Sequence, residues 1–368
     1  MTHARSTMRV AATMLALLLF ALARPAFAEG PKFKIDPFWP KPLPNNWIIG
    51  QVGGMTVDAH DNIWVFQRPR SLTPDEKGAT LKPPRSKCCA PAPSVLVFNQ
   101  AGDVVKAWGG PGDNQGYDWP ATEHGIMVDS ARGFVWLTGS GKDDAMVLKF
   151  TTDGKFVKEL GKRGPLTSST DLTQFGQAAS LALDAPTNEI YVADGYGNHR
   201  VAVFDADSGV IKRIWGAYGK PPTDQKLAQY NPDSPQFGNP VHCVVLANSG
   251  LVYVCDRINN RVQVFHKDGT FVRQYAFDPN TQGSGSTWGL AFSPLDPAQN
   301  YFVVIDGTNN EIKTVRVSDG AVVGTFGGPG REVGEFHWVH AAAFDSHGNF
   351  YTGEVDTGKR LQKWVPVQ

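Results

Sequence analysis

Short runs of alternating apolar and polar positions recur along the chain, separated by Gly-, Asn- and Asp-rich turns, and no stretch keeps a helical period. One unit repeats six times. Its first run is an apolar triplet, closed in most copies by Asp: Met55-Thr56-Val57-Asp58, Ile126-Met127-Val128-Asp129, Leu181-Ala182-Leu183-Asp184, Val244-Val245-Leu246-Ala247, Leu290-Ala291-Phe292-Ser293 and Ala342-Ala343-Phe344-Asp345. Successive copies lie 71, 55, 63, 46 and 52 residues apart. A second run follows each, as in Glu189-Ile190-Tyr191-Val192-Ala193, and then a third and fourth flank a Gly turn, as around Lys267-Asp268-Gly269. Four short strands per repeat predict an all-β, six-bladed β-propeller. The last repeat stops after its third run, so residues 32–39 are expected to supply the missing outer strand and close the ring without an open edge. Residues 69–93 interrupt blade 1 with six prolines and both adjacent cysteines, a long irregular loop of the kind that serves as a lid or is tolerated at the surface.

Composition narrows the class. Hydrophobic residues make up 41% of the 368, enough for a sizeable core, and 39 Gly with 26 Pro stay below the roughly 25–30% of low-complexity chains. Residues 1–28 read as an export signal: Arg5 and Arg9, an apolar run from Val10 to Leu22, then Ala26-Phe27-Ala28 as a cleavage site. Residues 29–368 then form a single propeller domain, exported to the periplasm or medium. Lys plus Arg equals Asp plus Glu at 35 each, and loss of Arg5, Arg9 and Arg24 leaves net −3. That balance argues against a nucleic-acid partner. No later run is long enough to span a membrane, and a monomer is expected. Of the four cysteines, Cys243 and Cys255 would sit on opposite faces of a tight hairpin, with Cys255 opposite His242. This disfavours their bridge and leaves a link from Cys88 or Cys89 to elsewhere, or a vicinal bridge.

Superposing the six first strands exposes the chemistry. Five residues before the closing position stand Gly53, His124, Ala179, His242, Trp288 and His340. First strands line a propeller's central channel, so histidines on alternate blades converge on the axis about 120° apart. Three neutral imidazoles with an open fourth position make a catalytic zinc site, and imidazole also suits copper, iron or nickel. At the ends of the second strands, Gln67-Arg68 and Asp256-Arg257 place two arginines at equivalent positions, and blade 3 has Asp194-Gly195-Tyr196-Gly197-Asn198. Guanidinium groups beside a metal suit a carboxylate-bearing substrate. Tyr196 there is a candidate general base or a packed aromatic. For Arg257 a structural pair with a neighbouring Asp is equally open.

Together these residues resemble the NHL-repeat propellers, and among them the peptidyl-α-hydroxyglycine α-amidating lyases. The matching places are Glu123-His124-Gly125-Ile126, Val241-His242-Cys243-Val244 and Val339-His340-Ala341-Ala342 for the metal ligands. Ala193-Asp194-Gly195-Tyr196-Gly197-Asn198-His199-Arg200 matches the run of the catalytic tyrosine, and Arg68 and Arg257 match the active-site arginines. The resemblance covers about residues 50–365 and implies a zinc-dependent lyase. In it Tyr196 takes a proton, Arg68 stabilises charge and Arg257 holds a substrate carboxylate, so that an N-(1-hydroxyalkyl)amide is split into an amide and glyoxylate or a related aldehyde acid. Gly197 replaces a family cysteine, and Ala341 stands where an acidic residue accompanies a structural calcium, which argues against calcium here. A lactonase-type hydrolase and a non-catalytic binding propeller of the cell envelope are the alternatives.

Overall fold

The computed structural model describes residues 30–112 and 116–367; the expected signal segment lies outside them. Six four-stranded antiparallel sheets form in chain order. Blade 1 comprises Gln51–Val57, Ile63–Arg68, Val95–Phe98 and Val104–Trp108, and blade 2 Glu123–Asp129, Phe134–Gly139, Met146–Thr151 and Phe156–Gly161. Blade 3 comprises Ala178–Asp184, Glu189–Asp194, Arg200–Asp205 and Ile211–Trp215, and blade 4 Val241–Leu246, Val252–Asp256, Arg261–Phe265 and Phe271–Ala276. Blade 5 comprises Gly289–Ala291, Tyr301–Asp306, Glu311–Arg316 and Val322–Gly327. In blade 6, Val339–Phe344, Phe350–Glu354 and Leu361–Val367 are completed by the N-terminal Lys32–Asp36, antiparallel to the last strand. The first strands touch one another in a closed cycle. This is a six-bladed β-propeller, closed by its N-terminal strand as the truncated last repeat predicts. Phe33 fixes the closure by packing on Phe326, Phe344 and Phe350, with ring centroids 5.1–6.0 Å apart.

Apolar residues on both faces of each blade bury themselves in six wedges between neighbouring blades rather than in one central core. Between blades 2 and 3, for example, Trp136 stands 5.4 Å from Phe204. The axis is left for function.

Ion pairs, two of them fully buried, hold the connections that lead into the first strands. Asp194 Oδ2 accepts from Arg200 Nε at 2.8 Å, Asp256 Oδ2 from Arg261 Nε at 2.7 Å and Glu354 Oε1 from Arg360 Nε at 2.9 Å. Each guanidinium spends its other donors on carbonyls of the connection before its own blade: Ser169 and Gln174, Ser234 and Gln236, Glu332 and Glu335. Charges buried this way need such full pairing. The same carboxylates accept backbone N–H groups of Gly176, Gly238 and His337, just upstream of the inner strands.

One expectation is overturned. Cys243 and Cys255 are bridged and directly paired across the hairpin, and Cys88 is bridged to Cys89. The register shifts between Val241 and Cys243, so His242 is the extra residue of a β-bulge. The ladder starts from the turn with Leu246 opposite Val252 rather than Leu251, one residue beyond the pairing of a tight hairpin, and this places Cys255 opposite Cys243.

Candidate metal centre and active site

The bulge recurs wherever an imidazole is needed. Register shifts fall between Glu123 and Ile126, between Val241 and Cys243, and between Val339 and Ala341, which leaves His124, His242 and His340 outside the regular ladder. A bulge re-aims a side chain out of the strand's alternation. All three histidines are buried, their ring centroids lie 4.8–5.0 Å apart, and one nitrogen of each falls within 4.8 Å of the others'.

Neighbouring blades orient two of the rings. His124 Nδ1 donates to the Ala179 carbonyl at 2.8 Å and His242 Nδ1 to the Trp288 carbonyl. A carbonyl only accepts, so both rings carry their proton on Nδ1 and present Nε2 as a lone pair, the arrangement that outer partners impose on metal-bound histidine. Burial holds all three imidazoles well below the usual histidine range; Arg68 and Arg257 add to this, and for His340 so do the other two rings. They are neutral.

Tyr196 caps the triangle. Its hydroxyl lies 3.0 Å from His124 Nε2, 3.1 Å from His242 Nε2 and 3.0 Å from Arg257 Nη1. One phenolic proton serves only one of two imidazole acceptors and leaves the other without a donor. An unsatisfied buried acceptor is costly, about 1–3 kcal/mol, and a cation among the three rings would satisfy both Nε2 lone pairs. The donor set therefore fits a transition metal with imidazole preference.

Arg257 reaches Tyr196 across a shelf made by Trp288, whose ring centroid lies 4.5 Å from the guanidinium carbon. The indole is itself pinned by donation from Nε1 to the Gly285 carbonyl at 2.7 Å. Arg68 is more withdrawn: Nε donates to the Glu123 carbonyl at 2.7 Å and Nη1 to Gln51 Oε1 at 2.8 Å. Burial pulls its pKa down, Tyr196 and Glu123 oppose this, and Arg257 adds to it. Tyr196 itself is set by close backbone contact. A Cβ on Gly195 would fall 2.2 Å from Val241 backbone atoms, so only glycine lets this turn lie against the strand that carries His242. Asn239 Nδ2 then donates to the Tyr196 carbonyl at 2.6 Å.

All six residues singled out from sequence thus meet at one end of the channel. Trp288 and Asn239 were missed as positioning groups, although Trp288 stood in the same aligned column as the histidines. The channel continues past the imidazoles as a cavity of about 150 Å³, walled by Ile126, Leu181, Val244 and Leu290.

A profile of the NHL repeat matches residues 175–204, the segment that holds Tyr196. The chain is a six-bladed propeller in which one segment matches the NHL repeat. The propeller is 30% identical over 247 residues to NHL repeat-containing protein 3 of Mus musculus, covering 65% of this chain and 58% of that protein. It is 27% identical over 219 residues to a probable peptidyl-alpha-hydroxyglycine alpha-amidating lyase of Caenorhabditis elegans, covering 59% and 56%. The chain spans little more than half the length of either relative. Among solved structures, one described as a streptogramin B lyase structure superposes with a TM-score of 0.53 over 91% of this chain and 98% of its own at 14% identity, a likeness of fold alone.

Proposed function

We propose that this NHL-repeat propeller is a metal-dependent carbon–nitrogen lyase acting on a carboxylate-bearing N-(1-hydroxyalkyl)amide of the peptidyl-α-hydroxyglycine type. The observation that carries the reading is the Tyr196 hydroxyl within hydrogen-bond reach of two converging imidazoles and a guanidinium. Zinc held by His124, His242 and His340 would supply Lewis-acid polarisation of the substrate hydroxyl. Arg257 binds the substrate carboxylate, and its shelf on Trp288 keeps the planar fork aimed at the rim. Tyr196 Oη accepts the proton of the substrate hydroxyl. The C–O bond then gains its second bond as the C–N bond breaks, and the nitrogen leaves with the electron pair and takes up a proton. The products are an amide and glyoxylate or a related aldehyde acid. Arg68, half-buried behind the Glu123 carbonyl, supplies fixed positive charge near the phenol.

Export fits this reading. The four cysteines form two disulfides, which persist in oxidising compartments, and no helix among the described residues is long and apolar enough to cross a membrane. The partner is a small or peptide-derived molecule with a carboxylate, bound by a monomer.

The test is glyoxylate release from an α-hydroxyglycine derivative by purified protein, run beside elemental analysis and a lactone panel. Near-stoichiometric transition metal with glyoxylate release is expected. Acid release from lactones without glyoxylate overturns the lyase in favour of a hydrolase. A chain that takes up no metal after zinc loading overturns both and leaves a binding propeller.

A further inference from the structure

Two of the three histidine bulges close at once and one does not. Pairing resumes directly after His242, with Cys243 opposite Cys255, and directly after His340, with Ala341 opposite Gly353. After His124 it resumes only at Ile126, opposite Leu137, so Gly125 and Thr138 stand outside the ladder. A buried N–H outside a ladder needs another acceptor. The side chain of Thr138 supplies it: Oγ1 accepts from the Gly125 N–H at 2.9 Å.

Thr138 also reaches the next blade. It is fully buried on the second strand of blade 2, and its hydroxyl donates to the Ala179 carbonyl of blade 3 at 3.4 Å. That oxygen is the one that accepts His124 Nδ1 at 2.8 Å. A carbonyl has two lone pairs, and here one takes the threonine and the other the imidazole. Glycine at position 125 lets these groups meet, because a Cβ there would fall 2.5 Å from both the Ala179 oxygen and Thr138 Oγ1.

We infer that Thr138 is a positioning residue for the metal ligand His124. It ties the wide bulge of blade 2 to the Ala179 carbonyl of blade 3, and so keeps that oxygen where it holds the imidazole with Nε2 toward the other two rings. The hydroxyl acts through Ala179 and His124 rather than on metal or substrate. The inference rests on the metal centre proposed above and is independent of which bond the enzyme breaks.

The test reads metal affinity in place of turnover. Metal-free full chain is titrated with zinc against a chromophoric chelator, as wild type, Thr138→Val and Thr138→Ser. Valine keeps the branched shape and loses both hydrogen bonds, whereas serine keeps the hydroxyl. Thr138→Val is expected to weaken zinc binding by about 10–100-fold, the usual effect of losing an outer partner of a metal ligand, and Thr138→Ser to restore it to near the wild-type value. Thr352→Val controls for lost stability. Thr352 is equally buried in blade 6 and its hydroxyl accepts from Trp364 Nε1 at 3.3 Å, so this variant should melt lower and bind zinc as wild type does. Zinc held as tightly by Thr138→Val as by wild type overturns the inference. So does Thr138→Ser as weak as Thr138→Val, or an equal loss in Thr352→Val, which would assign the effect to stability alone. If Thr138→Val does not fold, Thr138→Ala is read in its place with the same outcomes. A wild-type chain that takes up no zinc overturns the metal centre instead.

Discussion

Blades 2, 4 and 6 place an imidazole where the first strand begins, whereas blades 1, 3 and 5 place Gly53, Ala179 and Trp288 there. Blades 1 and 3 carry the same register shift at this point, between Val52 and Gly54 and between Ala178 and Ser180, yet present no ligand. The bulge is therefore a property of the repeated strand pair, and the choice of side chain on it is what makes a site. The odd blades are not idle. Ala179 and Trp288 contribute the carbonyls that orient His124 and His242, blade 3 contributes Tyr196, and the Trp288 indole carries Arg257. Even blades supply ligands; odd blades supply their orientation and the groups that face the substrate.

The largest effect that could break this division is loss of the metal. Alanine at His124, His242 or His340 should each reduce bound zinc from near-stoichiometric to background and abolish turnover, while Ala179→Ser, which keeps the carbonyl, should leave zinc content as it was. Elemental analysis after gel filtration decides it. An even-blade variant that retains full zinc would remove that residue from the ligand set.

Next in size is the separation of chemistry from metal binding. Tyr196→Phe should lower kcat by about 10²–10⁴-fold, the usual worth of a positioned acid or base, with zinc content unchanged because the phenol comes from an odd blade. Near-normal turnover on an α-hydroxyglycine substrate would sink the assignment of the proton acceptor.

Blade 5 offers a finer test. Trp288→Leu removes the shelf under Arg257, and a cation–π contact shielded from water is worth about 1–2 kcal/mol. KM for the carboxylate substrate should rise roughly tenfold, more than kcat falls, and Trp288→Phe should recover part of the loss. If the two variants behave alike, the indole acts only as filler between blades 5 and 6.

The even and odd pattern was legible in the sequence because repeats report equivalent places, and three histidines in one aligned column stand out whatever the local register. Closure by the N-terminal run 32–39 was legible too, from a last repeat that ended one strand short, and Lys32–Asp36 of it forms the strand. Register was not. The turn after Leu246 takes one residue more than a tight hairpin and the bulge at His242 inserts another; hydrophobic alternation marks neither, and the first turns the bridge between Cys243 and Cys255 from disfavoured to direct. Arginine roles also depend on contacts that sequence does not carry: Arg257, rather than Arg68, reaches Tyr196, while Arg200, Arg261 and Arg360 spend themselves on carbonyls. Their signal was present as a carboxylate followed five or six residues later by arginine in three blades.

The smallest effect probes why blade 1 is silent. Gly53 occupies the column of the histidines, and a Cβ there would lie 2.3 Å from the Glu123 carbonyl oxygen and 3.1 Å from His124 Cα. Glycine thus lets the His124 strand approach blade 1, and the crowded carbonyl is the one that accepts Arg68 Nε. Gly53→Ala should cost about 1–3 kcal/mol, as overpacking does, and should loosen zinc by shifting His124. Gly324→Ala is the control, because a Cβ on this exposed outer strand of blade 5 meets nothing within 4 Å. Thermal unfolding of zinc-loaded and chelator-treated protein separates the terms. Gly53→Ala should melt lower than Gly324→Ala in both states and lose part of the stabilisation by zinc, since a ligand stabilises in proportion to the logarithm of its affinity. Equal melting of the two variants would mean that blade 1 tolerates a side chain at the channel, and that its glycine contributes nothing to the placement of His124.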